Sequence, residues 1–409
     1  MQSLFILGRQ PALGLAELES LYGAAVIRSI EASAALLDVE PDQVDFDRLG
    51  GSMKLCKVLT TIDSTNWGDI ETYLLQSSPK HAAHMPEGKM QLGISAYGIR
   101  VTPQRILATG LSLKKVIKAT GRSVRLVPNK ELALNSASVM HNNLTGPTGW
   151  ELVFVRDGAR TIVAQTLLVQ DIDSYTARDR DRPKRDARVG MLPPKLAQII
   201  INLTNPTPGG TVLDPFCGTG VLLQETLLMG YSVYGSDLEP RMIEYSQANL
   251  EWLLSRQPWL AKNINELGSR HFTLEIQDAT SFQTSPSEHD VEAVATETYL
   301  GRPFTTLPSP EVLNQTASEC NLIIKKFLVK IRTQLPRGAR LCLAIPAWQV
   351  RRGQFKHLPF IGASAGPRLD SLRELGYNRI SFEHARNEDL IYYREDQIVA
   401  RELLVLQKL

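Results

Sequence analysis

At 409 residues the chain exceeds the length at which one hydrophobic core stops growing, so two or three domains are expected. A content of 43% hydrophobic and 22% charged residues is that of a globular protein, and no apolar run is long enough to span a bilayer, which argues against a membrane role. The net charge of +2 announces no nucleic-acid partner by itself, so its distribution along the chain has to be followed.

The N-terminal MQSLFILGRQPALGLAELES has no basic leader and no obvious small-residue cleavage site, so no secretory signal is expected and the cytoplasm is the expected compartment. Roughly the first fifty residues form a small αβ segment. After it, QLGISAYG, SVRLV, ELVFVRDG and TIVAQTLLV are candidate strands around helical stretches at 105–120 and 135–143, a separate α+β module. This module carries a one-sign run. From Arg100 to Lys130 there are eight basic residues (Arg100, Arg105, Lys114, Lys115, Lys118, Arg122, Arg125 and Lys130) and no acid. A solvated helix mixes signs, so the run points to phosphate contact and RNA binding over a neutral face.

Residues 175–188, YTARDRDRPKRDAR, interrupt the apolar periodicity with six basic residues, three acids and a proline, and read as an interdomain linker. Its basic residues suit phosphates, and its aspartates suit self-pairing equally well. Beyond it, TVLDPF, YSVYGSD, FTLEIQDA, VEAVATETY and ARLCLAIPA alternate with helical stretches at 222–229, 240–254 and 311–334. That alternation predicts a mostly parallel sheet covered by helices, an α/β Rossmann-like domain. EHARNEDLIYYREDQIVARELLVL reads as a β-hairpin closing this sheet, where His384, Tyr392 and Arg394 are candidates for the substrate mouth or for packing.

The most informative segment is Asp214-Pro215-Phe216-Cys217-Gly218-Thr219-Gly220, between a strand and a helix. Glycines there let the backbone turn sharply and approach a ligand. The next strand ends in Gly235-Ser236-Asp237, followed by Leu238, at the spacing where an acid accepts from a ribose's hydroxyls. One strand later, Asp278 and Ala279 reach the same sheet edge, and Asp278 is placed to accept from an adenine amino group. Both acids have a competing reading as helix caps. The GxGxxG of a pyrophosphate site is missing, since Gly220 is followed by Val221, Leu222 and Leu223, which favours S-adenosyl-L-methionine with Asp214 near its cationic methionyl end. Cys56, Cys217, Cys320 and Cys342 show neither metal spacing nor a disulfide framework, so no metal is expected and the thiols read as structural.

GMLPPKLAQIIINL followed by VLDPFCGTGVLLQETLLMGYSVYGSDLEPRMIEYSQANL resembles the class I methyltransferase domain of the THUMP-containing tRNA guanosine-N2 methyltransferases of the guanosine-10 type. The resemblance is strong over the C-terminal half and loose over the N-terminal half. It implies a ferredoxin-like segment over 1–55, a THUMP-like RNA-binding domain over 56–174, a basic linker over 175–190 and the methyltransferase domain over 191–409. It also implies tRNA as partner, leaves room for a small activator subunit, and makes Leu192, Pro193 and Pro194 cofactor-site candidates. Family members carry an Asp or Asn, two prolines and an aromatic at the end of the fourth strand. Here the matching tetrad is Thr296-Glu297-Thr298-Tyr299, which keeps the aromatic alone. Thr296, Glu297 and Tyr299 are the catalytic candidates, with Glu297 as a displaced carboxylate if the strand bends. The alternatives are methylation of another nucleic-acid site, in ribosomal RNA or DNA, and an inactive protein that binds RNA and S-adenosylmethionine.

Overall fold

The computed structural model describes residues 2–31, 33–186, 192–260, 262, 272–283, 291–358 and 369–409. Arg188 and Gly190 of the expected linker, and Met191 beside it, lie outside these residues. The chain divides into two units, Met1–Pro11 with Ala25–Asp47 and Ser52–Ser174, and Ala12–Ala24 with Arg48–Gly51 and Tyr175–Leu409.

The first unit is built on one sheet of β1 (Ser3–Leu7), β2 (Ile27–Ile30), β3 (Ala34–Leu37), β4 (Ser52–Ile62), β5 (Met90–Tyr97), β6 (Val124–Leu126), β7 (Gly149–Asp157) and β8 (Arg160–Val169). Their order is β2-β3-β1-β4-β8-β7-β5-β6. The break expected at residue 55 falls inside β4, which bonds to β1 on one side and β8 on the other, so residues on both sides of it share a sheet. Helix α1 (Pro11–Tyr22) falls almost wholly in the second unit. Helices α2 (Trp67–His84) and α3 (Pro103–Ala119) start on side-chain caps: Asn66 accepts from the Gly68 amide, and Thr102 accepts from the Arg105 amide ahead of Pro103. Ile106, Leu113 and Ile117 recur at helical spacing on α3 and are buried with Trp67, Ile70 and Leu74 of α2 against Ile94, Trp150 and Phe154 of the sheet. A short α4 (Ser136–His141) is capped by Asn135.

One cluster inside this sheet is polar. Lys54 ion-pairs with Glu151, both side chains being at most 2% exposed, and the Glu151 carboxylate also accepts from Ser95 Oγ and Thr166 Oγ1, each at 2.5 Å. A charge buried this deeply is tolerable only when paired and hydrogen-bonded, as this one is.

Over residues 175–181 the segment expected as linker has regular structure: α5 (Ile172–Thr176) runs into a π-turn at Ala177–Asp181. Its charges pair with the second unit's helices, Arg178 with Glu225 at 2.7 Å and Asp186 with Arg241 at 3.0 Å. Helix α6 (Pro194–Thr204) then begins on two consecutive prolines and buries Leu196, Ile200 and Leu203. Next come β9 (Thr211–Asp214), α7 (Val221–Leu228), β10 (Ser232–Asp237), α8 (Pro240–Arg256), β11 (Phe272–Ile276), β12 (Val291–Glu297), α9 (Pro310–Ile331) and β13 (Arg340–Arg351). They are followed by β14 (Gln354–Lys356), α10 (Leu369–Glu374), β15 (Tyr377–Arg379), β16 (Ile391–Tyr392) and β17 (Val399–Lys408).

The second sheet has the order β11-β10-β9-β12-β13-β17-β15, with β9 to β13 parallel and β17 antiparallel to β13. Strand order reverses between β9 and β12. In open α/β sheets a ligand crevice forms at such a switch point, outside the carboxyl ends of the strands. Asp214 ends β9 and Glu297 ends β12, so the topology brings the two candidate regions to one crevice.

Candidate active site

The loop after β9 turns because Gly218 and Gly220 take φ of 52° and 77°, a region that side chains disfavour. Each loop residue is held from a different direction. The Cys217 amide donates to the Ser236 carbonyl at 2.9 Å, and the Gly218 amide donates to Asp237 Oδ2 at 2.9 Å. From α8, Ser246 Oγ donates to the Gly218 carbonyl at 2.9 Å and Asn249 Nδ2 to the Thr219 carbonyl at 2.8 Å. Ser246 and Asn249 are fully buried polar residues three apart on one helix face, a signal in the sequence that the motif reading passed over.

Asp214 is buried beneath this turn. Its Oδ1 accepts from Thr296 Oγ1 at 2.6 Å and from the Phe216 amide at 3.3 Å. Burial pushes its carboxyl up to about 7, and the Asp237 and Glu297 charges add to the rise. Asp237 is likewise raised by burial, although amides of Gly218 and Glu239 donate to it. Two carboxylates that repel across a crevice, one of them poised near neutrality, form a pocket that a cation would stabilise.

The other cofactor candidates occupy the same edge. Asp278 Oδ1 accepts from both the amide and the hydroxyl of Thr280, so the turn-capping reading describes one of its oxygens. Ala279 is buried. Leu238 and Ile276 are 66% and 58% exposed at the ends of adjacent strands, where Asp237 and Ile276 are register partners. Ile276 was not anticipated, although an apolar residue directly before Gln277-Asp278 at a strand end was visible. Leu192 is buried, Pro193 caps α6 and Pro194 opens it.

Across the switch point the tetrad residues diverge. Thr296 is fully buried with its hydroxyl given to Asp214. Glu297 Oε1 accepts from Arg401 Nε at 2.6 Å in a pair whose side chains are 15% and 8% exposed. The Thr298 amide donates to the Ala344 carbonyl at 3.1 Å, and Tyr299 stands 41% exposed just beyond the strand. Arg401 carries no signal in the sequence, because only the pairing of β17 with β13 brings it here.

The remaining candidates lie elsewhere. Burial raises the thiol of Cys217 well above its ordinary value and that of Cys320 to about 12, which leaves both as inert packing groups. The His384 amide donates to Glu19 and its ring meets the Ala24 carbonyl, whereas Tyr392 is the register partner of Arg401 and takes Arg394 on its hydroxyl. In the first unit, Arg122 donates to carbonyls at the end of α2 (Ala82, Met85 and Pro86) and Arg105 pairs with Glu71. Arg100, Lys114, Lys115, Lys118, Arg125 and Lys130 have no ion-pair partner among the described residues, and Lys115 and Lys118 are exposed on α3 beside Leu111, which is 54% exposed.

Comparison with known proteins adds to this geometry. Residues 182–268 match the RMKL-like methyltransferase domain. The chain is 30% identical over 158 residues to the tRNA (guanine(10)-N2)-dimethyltransferase of Methanothermobacter thermautotrophicus, which is 38% of this chain and 39% of that protein. It is 33% identical over 141 residues to the protein of the same name from Pyrococcus abyssi, 34% of this chain and 38% of that one. The matches thus span about two fifths of the length of these curated relatives. The crystal structure of TrmN from Thermus thermophilus superimposes over the whole of both chains with a TM-score of 0.50 at 17% identity. The fold is α/β, and its second unit contains a Rossmann-like methyltransferase domain.

Proposed function

We propose that the chain is an S-adenosylmethionine-dependent methyltransferase that modifies the N2 amine of a guanosine in tRNA. The observation that carries this reading is Asp214, a buried carboxyl at the switch point beneath a glycine turn, raised to about 7 and facing a second acid. A cationic cofactor fits that donor set. Asp214 holds its positive end, Asp237 accepts from the ribose hydroxyls, Leu238 and Ile276 offer apolar contact to the adenine ring, and the free oxygen of Asp278 accepts from the adenine amine. When bound, S-adenosylmethionine supplies an activated methyl group. The chain's own part is to deliver and deprotonate the acceptor: Tyr299 stacks on the target base, and Glu297 accepts a proton from the amine as that nitrogen is methylated.

The names of the curated relatives support guanosine N2 and tRNA as first substrates. The unpaired lysines of α3 support RNA docking by the first unit, as a THUMP-like module would. The test is incubation with methyl-labelled S-adenosylmethionine and unmodified tRNA, followed by nucleoside analysis. Label in N2-methylguanosine, lost in Glu297→Gln, is expected; label in a different nucleoside, or cofactor binding without transfer, would overturn the reading. Lys114, Lys115 and Lys118 replaced together by Glu should weaken tRNA binding and flatten its salt dependence at unchanged cofactor affinity.

A further inference from the structure

We propose that Arg401 and Glu297 act together as the reader of the target base, a guanine-selective pair in which Arg401 donates to the exocyclic oxygen O6 while Glu297 accepts from the ring N1–H and the exocyclic N2–H groups. This rests on the reading of the second unit as a guanosine N2 methyltransferase. Register brings the two residues together. Glu297 pairs with Ala344 in the parallel β12·β13 ladder, and Pro346, two residues closer to the ligand edge, pairs with Arg401 of β17. Directly paired residues share a sheet face, and so do residues two apart on one strand, so Glu297 and Arg401 project from one face at one edge. The 2.6 Å bond between Arg401 Nε and Glu297 Oε1 follows.

What the pair leaves unused is the second observation. Among the described residues neither side chain makes a further hydrogen bond, and none of their polar atoms is among the buried groups that lack a partner. Glu297 Oε2 and the terminal nitrogens of Arg401 are therefore left without a hydrogen-bond partner among the described residues, on side chains that are 15% and 8% exposed. Tyr299, exposed two residues along, supplies the stacking surface beside them. Guanine presents an acceptor (O6) next to two donors (N1–H and the N2 amine). A guanidinium beside a carboxylate presents the complement, donors next to acceptors. Adenine offers a ring acceptor where guanine offers N1–H, so it would leave the carboxylate facing a lone pair.

The pair also explains how a site without the two prolines of the related tetrad keeps its carboxylate in place. A carboxylate anchored by a guanidinium with both side chains largely buried has little rotamer freedom, so the orientation comes from β17 and not from the rigidity of the loop after β12.

The test compares a tRNA transcript carrying guanosine at the modified position with one carrying 2-aminopurine there, which keeps the exocyclic amine but lacks O6 and N1–H. Wild-type protein should prefer guanosine by about a hundredfold in kcat/KM. In Arg401→Met, which leaves the Glu297 carboxylate in place, the preference should collapse to a few-fold. Arg401→Lys keeps the charge but not the fork and should fall between. Cofactor titration of each variant reports whether the fold is intact. A preference that survives in Arg401→Met with cofactor binding intact overturns the proposal and leaves the enzymatic reading standing. Absence of guanosine methylation by the wild-type protein overturns both.

Discussion

The two sides of the crevice are assembled over different distances along the chain. On the glycine-turn side, the bonded partners are separated by 2, 19, 28 and 30 residues, all within one strand-helix-strand-helix stretch from β9 to α8. On the acceptor side the separations are 82 for Thr296 with Asp214 and 104 for Glu297 with Arg401. The first side depends on backbone conformations that a few glycines permit. The second depends on sheet register, with ordinary backbone and particular side chains. Backbone changes should therefore be most damaging on one side, and side-chain changes on the other.

The largest effect is expected at Gly220. Its φ of +77° disfavours any side chain, and a Cβ there would stand 2.9 Å from Ser246 Oγ and 3.2 Å from Ser246 Cα. Gly220→Val combines about 1–2 kcal/mol of left-handed strain with about 1–3 kcal/mol of overpacking. Cofactor affinity, measured by calorimetry, should fall by roughly a hundredfold or more. Near-normal affinity would show that the turn does not cradle the ligand, and the contrast between the two sides would lose its first half.

A smaller effect, with a distinctive pH signature, is expected at Asp214. Its carboxyl is raised to about 7 because burial disfavours the charged form. The folded protein thus holds a proton that the unfolded chain has released, so this group's contribution to stability is present below its ordinary pKa and is lost as pH rises through about 7. Binding of a cation runs the other way, since it needs the ionised form. Wild-type cofactor affinity should fall about tenfold per unit as pH drops below 7 and level off above it. Asp214→Asn should lower affinity at pH 8 by about thirtyfold, near 2 kcal/mol, and remove that dependence. A pH profile unchanged by the substitution would mean that another group, such as Asp237, carries the charge.

The same division by distance explains what the sequence made legible. Asp214, Gly218, Gly220 and Asp237 stand in order within one strand-turn-helix-strand unit, so spacing alone singles them out as candidates. The parallel alternation was legible for the same reason. Arg401 was not, because nothing near it distinguishes an active-site arginine from one on any closing strand. The run from Arg100 to Lys130 shows the opposite failure. Arg122 shares the sign of its neighbours but is spent on the carbonyls that end α2, uncharged acceptors that a charge count does not register. The expected boundary near residue 55 came from the resemblance alone, and the sheet runs across it because β4 pairs with β1 on one side and β8 on the other, a long-range pairing that spacing does not display.

Thr296 tests the boundary between the two sides, because it lies on the acceptor strand and bonds Asp214, the carboxyl proposed to hold the cationic end of the cofactor. Its hydroxyl donates to Asp214 at 2.6 Å and is fully buried, so its expected role is to favour the ionised form of Asp214 and not to touch the target base. Thr296→Val keeps the shape and removes the donor. The Asp214 carboxyl should then rise further, since the hydrogen bond from Thr296 lowers it at present. Cofactor affinity at pH 7 should drop about fivefold, near 1 kcal/mol, with the midpoint of its pH dependence moved upward, and Thr296→Ser should restore both. The guanosine preference over 2-aminopurine should stay as in the wild type, because that selectivity belongs to the opposite face of β12. If Thr296→Val instead reduces that preference while leaving the pH midpoint in place, Thr296 belongs to the acceptor side, and the two sides do not divide where their hydrogen bonds do.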